Sequence, residues 1–310
     1  MINRLAITVI QSALIPLLSP LFAGLIRTLK ARLQNRQGPD IFQSYRDLRK
    51  LFSKDEVINK DASWIFKAVP YVIFSITALI GSGLPLVTTY FKSSVAGDFL
   101  VTIYLLAAAT FFLALAGIDS GNAFGGFGSS REMTLSALAE AGLMFSLLVL
   151  AILAHSANLS QIAESISGLP LFLFMPVLVA FMGFILALLA ETGRLPFDNP
   201  ATHLELTMIH EAMILEYSGR RLALIEWASA NKLMIFLCLA ANLFLPWGIS
   251  STLAPAAVII AGFALFAKLT ILCAAIAVLE STTAKFRFFR LPDLLFASFV
   301  ISIIALGISL

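Results

Sequence analysis

Residues 99–118 read FLVTIYLLAAATFFLALAGI, twenty positions without a charge. As a helix rising 1.5 Å per residue this stretch is about 30 Å long, the thickness of a bilayer's hydrocarbon core. Lipid offers no partner to a backbone amide, and a helix satisfies its own. Working outward, Leu5–Ile26, Ala68–Phe91 and Leu169–Ala190 are equally free of charge, and Met133–Leu153 contains only Glu140. Leu233–Ala267 is too long for one crossing, and Pro246-Trp247-Gly248 divides it. Leu294–Leu310 closes the series. The sequence therefore predicts an all-α, polytopic membrane protein of eight transmembrane helices in one domain, residues 1–310. The expected spans are about 5–29, 68–91, 99–118, 131–154, 169–190, 231–247, 254–279 and 292–310.

Composition agrees. The chain is 59% hydrophobic and 13% charged, with a mean hydropathy of +0.94. Soluble domains carry about 25% charged residues, so a freely soluble protein is excluded. The first span has no small-residue cleavage site after it and reads as a true span rather than a signal peptide. Pro16 and Pro20 should bend it, with neighbours satisfying the carbonyls they free. Counted over 27–67, 119–132, 191–232 and 280–290, the loops on the side opposite the termini hold 18 of the 21 Lys and Arg residues, against Arg4 and Lys92 on the termini side. This positive-inside bias predicts both termini outside and the charged loops, 30–67, 119–130, 191–230 and 280–291, in the cytoplasm. The net charge of +3 then reflects topology, not nucleic-acid binding. Cys238 and Cys273 stand singly in predicted spans, so an iron–sulfur cluster or cysteine-held metal is not expected on this chain.

The cytoplasmic loops carry the polar chemistry. Arg27–Arg36 should continue the first helix until Gly38-Pro39 stops it. After it, Ile41, Phe42, Tyr45, Leu48, Leu51 and Phe52 recur at helical spacing with Arg46, Arg49 and Lys50 between them. That is an amphipathic surface helix, an interfacial anchor or a docking platform. The second loop, DSGNAFGGFGSSRE, lacks the Gly-Lys-Ser/Thr of a phosphate loop. Ser129 and Glu132 form a capping-box pattern, with the glycines as a flexible lead-in. The third loop contains AETGRLPFDNPATHLELTMIHEAMILEYSG, residues 190–219. Thr202 to Glu205 again reads as a capping box, predicting a helix from His203 to Tyr217 stopped by Gly219. Such a helix places Glu205 and Glu216 on one edge and His203 and His210 on another. Seven residues between the histidines is too far for shared metal ligation, and His210-Glu211 lacks a zinc-protease partner. Partner contact or proton exchange suits them better.

Glu140 and Lys268 lie inside predicted spans, where each charge costs about 2.5–3.5 kcal/mol and marks a candidate functional residue. Measured from Ser129 and Glu280 they fall at similar depths, about 16 and 18 Å. They either pair or face separate wet cavities. Glu140, Glu191, Glu205, Glu216 and Glu280 could form a line of proton sites from mid-membrane to the loops. Alternatively, the last four are solvated or salt-bridged, with Arg194 three residues from Glu191 as a ready partner.

Four strings occur in order between the right spans: ARLQNRQGP at 31–39, GSSRE…LSALAE at 128–140, AETGRLPFD at 190–198 and EYSG at 216–219. Together they resemble the NADH dehydrogenase subunit 1 family of respiratory complex I, over essentially the whole chain. The resemblance implies the membrane subunit on which a soluble redox arm sits, with acidic residues leading from a quinone chamber into the membrane. Glu140, Glu191, Glu205 and Glu216 match the family's acidic positions. Arg36, Arg131, Arg194, Asp198 and Tyr217 lie in its motifs. The sequence also departs from that pattern: the first loop is short after Gly-Pro, and the third is several residues longer, with His203 in place of a common glutamate. These features are more similar to the membrane subunit of complex I-related energy-converting nickel–iron hydrogenases of the hydrogenase-4 and formate hydrogenlyase type, and they argue against quinone. Two expectations stand. One is an ion-coupling anchor beside hydrogenase large and small subunits and antiporter-like membrane subunits, in a prokaryotic inner membrane, with the nickel–iron centre and iron–sulfur clusters on the partners. The other is a quinone-chamber subunit bound to a complex I connecting module. A stand-alone transporter would call for internal repeats, and none is evident.

Overall fold

The computed structural model describes residues 2–59, 62–90, 95–170, 174–199 and 208–310, with side chains from Ser12 onward. The elements are α1 (Ile2–Leu33), α2 (Gln43–Phe52), α3 (Trp64–Gly83), α4 (Phe99–Asp119), α5 (Ala123–Ala154) and α6 (Leu159–Ser167). They continue with α7 (Met175–Glu191), α8 (His210–Ile214), α9 (Gly219–Leu239), α10 (Pro255–Thr282) and α11 (Leu291–Ser309). Among the described residues, seven helices are long and apolar enough to cross a membrane, and α7 is a shorter apolar helix of 17 residues. That length is at the lower limit for a crossing.

The helices form one bundle. α5, α7 and α11 pack together at one end, α4 joins α5 to α3, and α9 lies between α3 and α1, with α10 outside α1. The α5–α7–α11 contact relies on two glycines and two serines. A Cβ on Gly142 would lie 2.5 Å from Ser298 Oγ, and one on Gly183 would lie 2.3 Å from Ser302 Oγ. Ser298 donates to Gly183 O at 2.7 Å and Ser302 to Gly142 O at 3.2 Å. Small residues permit this approach, which in lipid replaces the missing hydrophobic drive between helices.

The prolines behave as expected of membrane helices. Pro20 has no N–H for the Pro16 carbonyl, and Trp227 Nε1 donates to that oxygen instead, at 2.8 Å. Pro70 likewise frees the Phe66 carbonyl, which Tyr217 takes up with its hydroxyl at 2.8 Å while the two rings stack 3.9 Å apart. The motif residue Tyr217 thus completes the backbone of α3.

Several boundaries differ from the sequence reading. α1 stops at Leu33, with Asn35 in the left-handed region at φ 54°, ahead of Gly38-Pro39. α2 forms where its amphipathic pattern predicts. Ser129 is not a cap: Asn122 caps α5, accepting from Phe124 N, so helix replaces the anticipated loop. Ser129 Oγ instead lies 2.8 Å from both Ala114 O and Gly125 O, which share its one proton. The glycines of that segment are helical, and Gly128 lets α8 approach, a Cβ there falling 2.8 Å from Ile209 O. α3 begins at Trp64 and ends at Gly83, short of residue 91. The capping box at Thr202–Glu205 lies outside the described residues, and the described helix there is only His210–Ile214. Gly219 does take φ 54°, but it opens α9 rather than ending a helix. α9 therefore starts twelve residues before the expected span at 231.

Candidate functional site

α9 carries Lys232 into the bundle, a residue the sequence reading left at the edge of a loop. Its Nζ lies 2.7 Å from Glu191 Oε2, at the end of α7, and 2.9 Å from Thr110 Oγ1 on α4. Glu191 is buried, and its other oxygen lies 3.2 Å from Ser136 Oγ on α5. Ser136 Oγ is also 3.1 Å from Glu140 Oε1, one helical turn further along. Glu140 and Glu191 are thus joined through one hydroxyl. The anticipated Glu191–Arg194 pair does not form, because the turn after α7 directs Arg194 to α10.

Glu132 is the carboxylate that sequence reasoning missed, because a capping role seemed to account for it. It is buried inside α5 and lines a cavity of about 30 Å³ with Glu191, Lys232, Thr110 and His210. That volume admits a water molecule. A second cavity of about 120 Å³ brings in Arg27, Arg194, Glu211 and Glu226, and a third, of about 630 Å³, reaches Lys30, Arg36, Asp198 and Glu280. Thr192, His210 and Ser229 line all three. Those three residues stand between the loop-side cavities and the one beside the Glu191–Lys232 pair.

The wide end is braced by ion pairs. Glu280 accepts from Lys30 at 2.8 Å and Arg194 at 2.5 Å, tying α10 to α1 and to the turn after α7. Asp198 pairs with Lys285 at 2.7 Å and accepts from the backbone of Ile209 and His210, each at 3.2 Å. It thereby fixes the start of α8. Burial pushes His210 below its ordinary 6.5, against the pull of the Glu211 carboxylate. Burial also pushes Glu211 above the usual carboxylate value, with His210 opposing.

The other candidate residues have separate places. Glu216 accepts from Asn122 Nδ2 at 2.8 Å, away from Glu191. Arg131 donates to Met208 O at 3.2 Å and stacks 5.8 Å from the Phe288 ring centre. Arg36 is exposed at the rim of the wide cavity. Glu205 and His203 lie outside the described residues. Lys268 does not pair with Glu140. After α9 the chain makes a π-helical turn, Ala240–Phe244, and Lys268 Nζ donates to Ala241 O, Asn242 Oδ1 and Leu245 O at 2.9–3.0 Å. The equal-depth argument fails because α5 begins six residues before Ser129.

The NADH dehydrogenase family profile matches residues 5–309. The chain belongs to that family. It is 33% identical over 296 residues to formate hydrogenlyase subunit 4 of Escherichia coli K12, covering 96% of this chain and 95% of the relative. Hydrogenase-4 component C of the same organism is 35% identical over 298 residues, 95% and 92% of the two chains. An NADH-quinone oxidoreductase subunit of Rubrobacter xylanophilus is 30% identical over 237 residues, 71% and 68% of the two chains. A chain in the structure of the membrane-bound sulfane sulfur reductase, an archaeal respiratory membrane complex, superposes with a TM-score of 0.81 at 18% identity. That match covers 99% of this chain and all of the other, and shows a shared fold.

Proposed function

We propose that this chain is the ion-coupling membrane anchor of an energy-converting hydrogenase complex. It docks the redox module on its loop face and passes charge changes into the membrane along the Glu132–Glu191–Lys232 route. Near-complete coverage by the two hydrogenase-complex relatives, against 71% of the chain for the quinone-oxidoreductase relative, supports this assignment. The observation that carries the mechanism is the buried Lys232–Glu191 pair, which lines the smallest of three cavities that share Thr192, His210 and Ser229. The nickel–iron centre and iron–sulfur clusters belong to the partner subunits, and the loop face with its basic residues is cytoplasmic in a prokaryotic inner membrane.

The quinone-chamber reading is the rival, and the wide cavity bears on it. Ligand pockets for aromatic headgroups are mostly apolar, with a few polar groups. The described lining here has Arg27, Lys30, Arg36, Arg194, Asp198, Glu211 and Glu280, with the His210 imidazole and no Phe, Tyr or Trp. Charged lining of this kind suits water and protons better than a quinone. Purifying the complex separates the two. Hydrogen evolution with co-purifying nickel supports the hydrogenase assignment, whereas a quinone-dependent activity abolished by quinone-site inhibitors overturns it. Within either assembly, Glu140→Gln and Glu191→Gln lower ion pumping per turnover while the complex still assembles. Full pumping in both variants removes the relay.

A further inference from the structure

Ser136 stands between two carboxyls that it cannot serve in the same way. Its Oγ is 3.1 Å from Glu140 Oε1 and 3.2 Å from Glu191 Oε1. A serine hydroxyl has one proton to donate and lone pairs to accept with, whereas an ionised carboxylate only accepts. With both glutamates ionised, the hydroxyl satisfies one and meets the other lone pair to lone pair. Ser136 and Glu191 are buried, where an unsatisfied charged oxygen is costly. The conflict disappears when one carboxyl is protonated. That carboxyl donates to Ser136 Oγ, and Ser136 donates onward to the other. Glu191 is held by the Lys232 ammonium at 2.7 Å, a cation that an ionised partner neutralises. The proton therefore rests on Glu140.

We propose that Ser136 is a proton-transfer hydroxyl through which Glu140 and Glu191 share one proton. This rests on the ion-coupling reading above and adds a positioning residue to it. In the transfer, the Glu140 O–H bond breaks as a new Oγ–H bond forms. The original Oγ–H bond breaks as an O–H bond forms on Glu191. One proton moves from Glu140 to Glu191, and no other reactant is needed. Neutral Glu191 leaves the Lys232 ammonium without its anion but with Thr110 Oγ1 at 2.9 Å. Glu132 shares the cavity of Lys232 and is the carboxylate to which the ammonium then turns. The titratable groups around the bridge are thus Glu132 and Glu140 from α5, Glu191 from α7, His210 from α8 and Lys232 from α9. The hydroxyl couples a mid-helix carboxyl to the lysine switch.

The test uses the complete complex in sealed vesicles, with ion pumping measured per redox turnover. Positioned proton transfer contributes about 100-fold or more. Ser136→Ala is expected to slow pumping on the order of 100-fold, and Ser136→Thr, which keeps the hydroxyl, to restore most of it. Infrared spectroscopy of the wild-type complex is expected to show a protonated-carboxyl carbonyl band that Glu140→Gln removes. Full pumping in Ser136→Ala, beside loss in Glu140→Gln and Glu191→Gln, overturns the serine bridge and leaves the relay standing. Full pumping in all three means the coupling reading itself has failed. Should Ser136→Ala not assemble, the infrared band decides: its absence from the wild type overturns the shared proton.

Discussion

Two lysines lie inside this bundle, and their surroundings differ in kind. Lys232 is bound by a carboxylate and a hydroxyl, Glu191 and Thr110. Lys268 is bound by two backbone carbonyls and an amide oxygen. Both bear the expense of a charge in lipid, at least about 2.5 kcal/mol. A carboxylate can discharge itself by taking a proton, and a carbonyl cannot. The first site can therefore change charge at the lysine's partner, while the second can do so only at the lysine itself. Lys268 closes a break in α9, where the π-turn leaves carbonyls without helical donors.

The largest effect expected from this contrast is at Lys268. Lys268→Met leaves three oxygens without this donor and should cost about 1–3 kcal/mol for each that stays unsatisfied, read as a lower unfolding temperature and less assembled complex. Pumping per assembled complex should be unchanged. A variant that assembles normally but no longer pumps would place Lys268 beside Lys232. Lys232→Met should show the reverse pattern: pumping falls on the order of tenfold, about 1.4 kcal/mol, with a smaller loss of assembly than Lys268→Met. Equal losses of assembly in the two variants would erase the distinction.

A smaller effect tests the non-titrating class alone. Tyr217→Phe removes the donor to the carbonyl freed by Pro70 and should cost about 1–3 kcal/mol of stability, with pumping per complex retained. Thermal unfolding beside a pumping assay measures both. The smallest effect is a pH slope. Unfolded His210 takes up a proton as pH falls through 6.5, whereas the buried side chain takes it only at lower pH. Stability therefore falls as pH drops through that window. Glu211, raised above 4.5, acts in the opposite sense, with stability greatest in acid and falling as pH rises through its raised value. His210→Gln should flatten the acid-side loss in melting temperature between about pH 7 and 5. An unchanged slope would mean that His210 is not buried neutral.

Most of the bundle was legible because a charge-free run of about 20 residues has few alternatives in a protein this apolar. The site was less so. Arg220, Arg221, Glu226, Asn231 and Lys232 make the first half of α9 look like a loop. It is a helix because α1, α3 and α4 supply polar partners across the bundle: Ser19 donates to Asn231 Oδ1 at 2.6 Å, and Asn231 donates to Thr77 at 3.2 Å. Such partners are more than a hundred residues away in the chain, beyond any local pattern. The Ser129 box lost to Asn122 because the earlier cap gains two more turns, and the glycines between bring α8 close. Glu140 and Glu191 stood out as ionisable residues in apolar sequence, whereas the serine between them had nothing local to mark it.

The Gly142–Ser298 and Gly183–Ser302 contacts set how far α5 stands from α7, and so whether Ser136 can span the gap. α11 supplies both serines and comes last in chain order. Domains and segments made early fold early during synthesis. The acidic helices α5 and α7 are therefore made before their spacer, and on the proposed reading the Ser136 bridge closes only when α11 docks. A chain cut before this helix would keep Glu140, Ser136 and Glu191 and, on the proposed reading, lack the spacing that joins them.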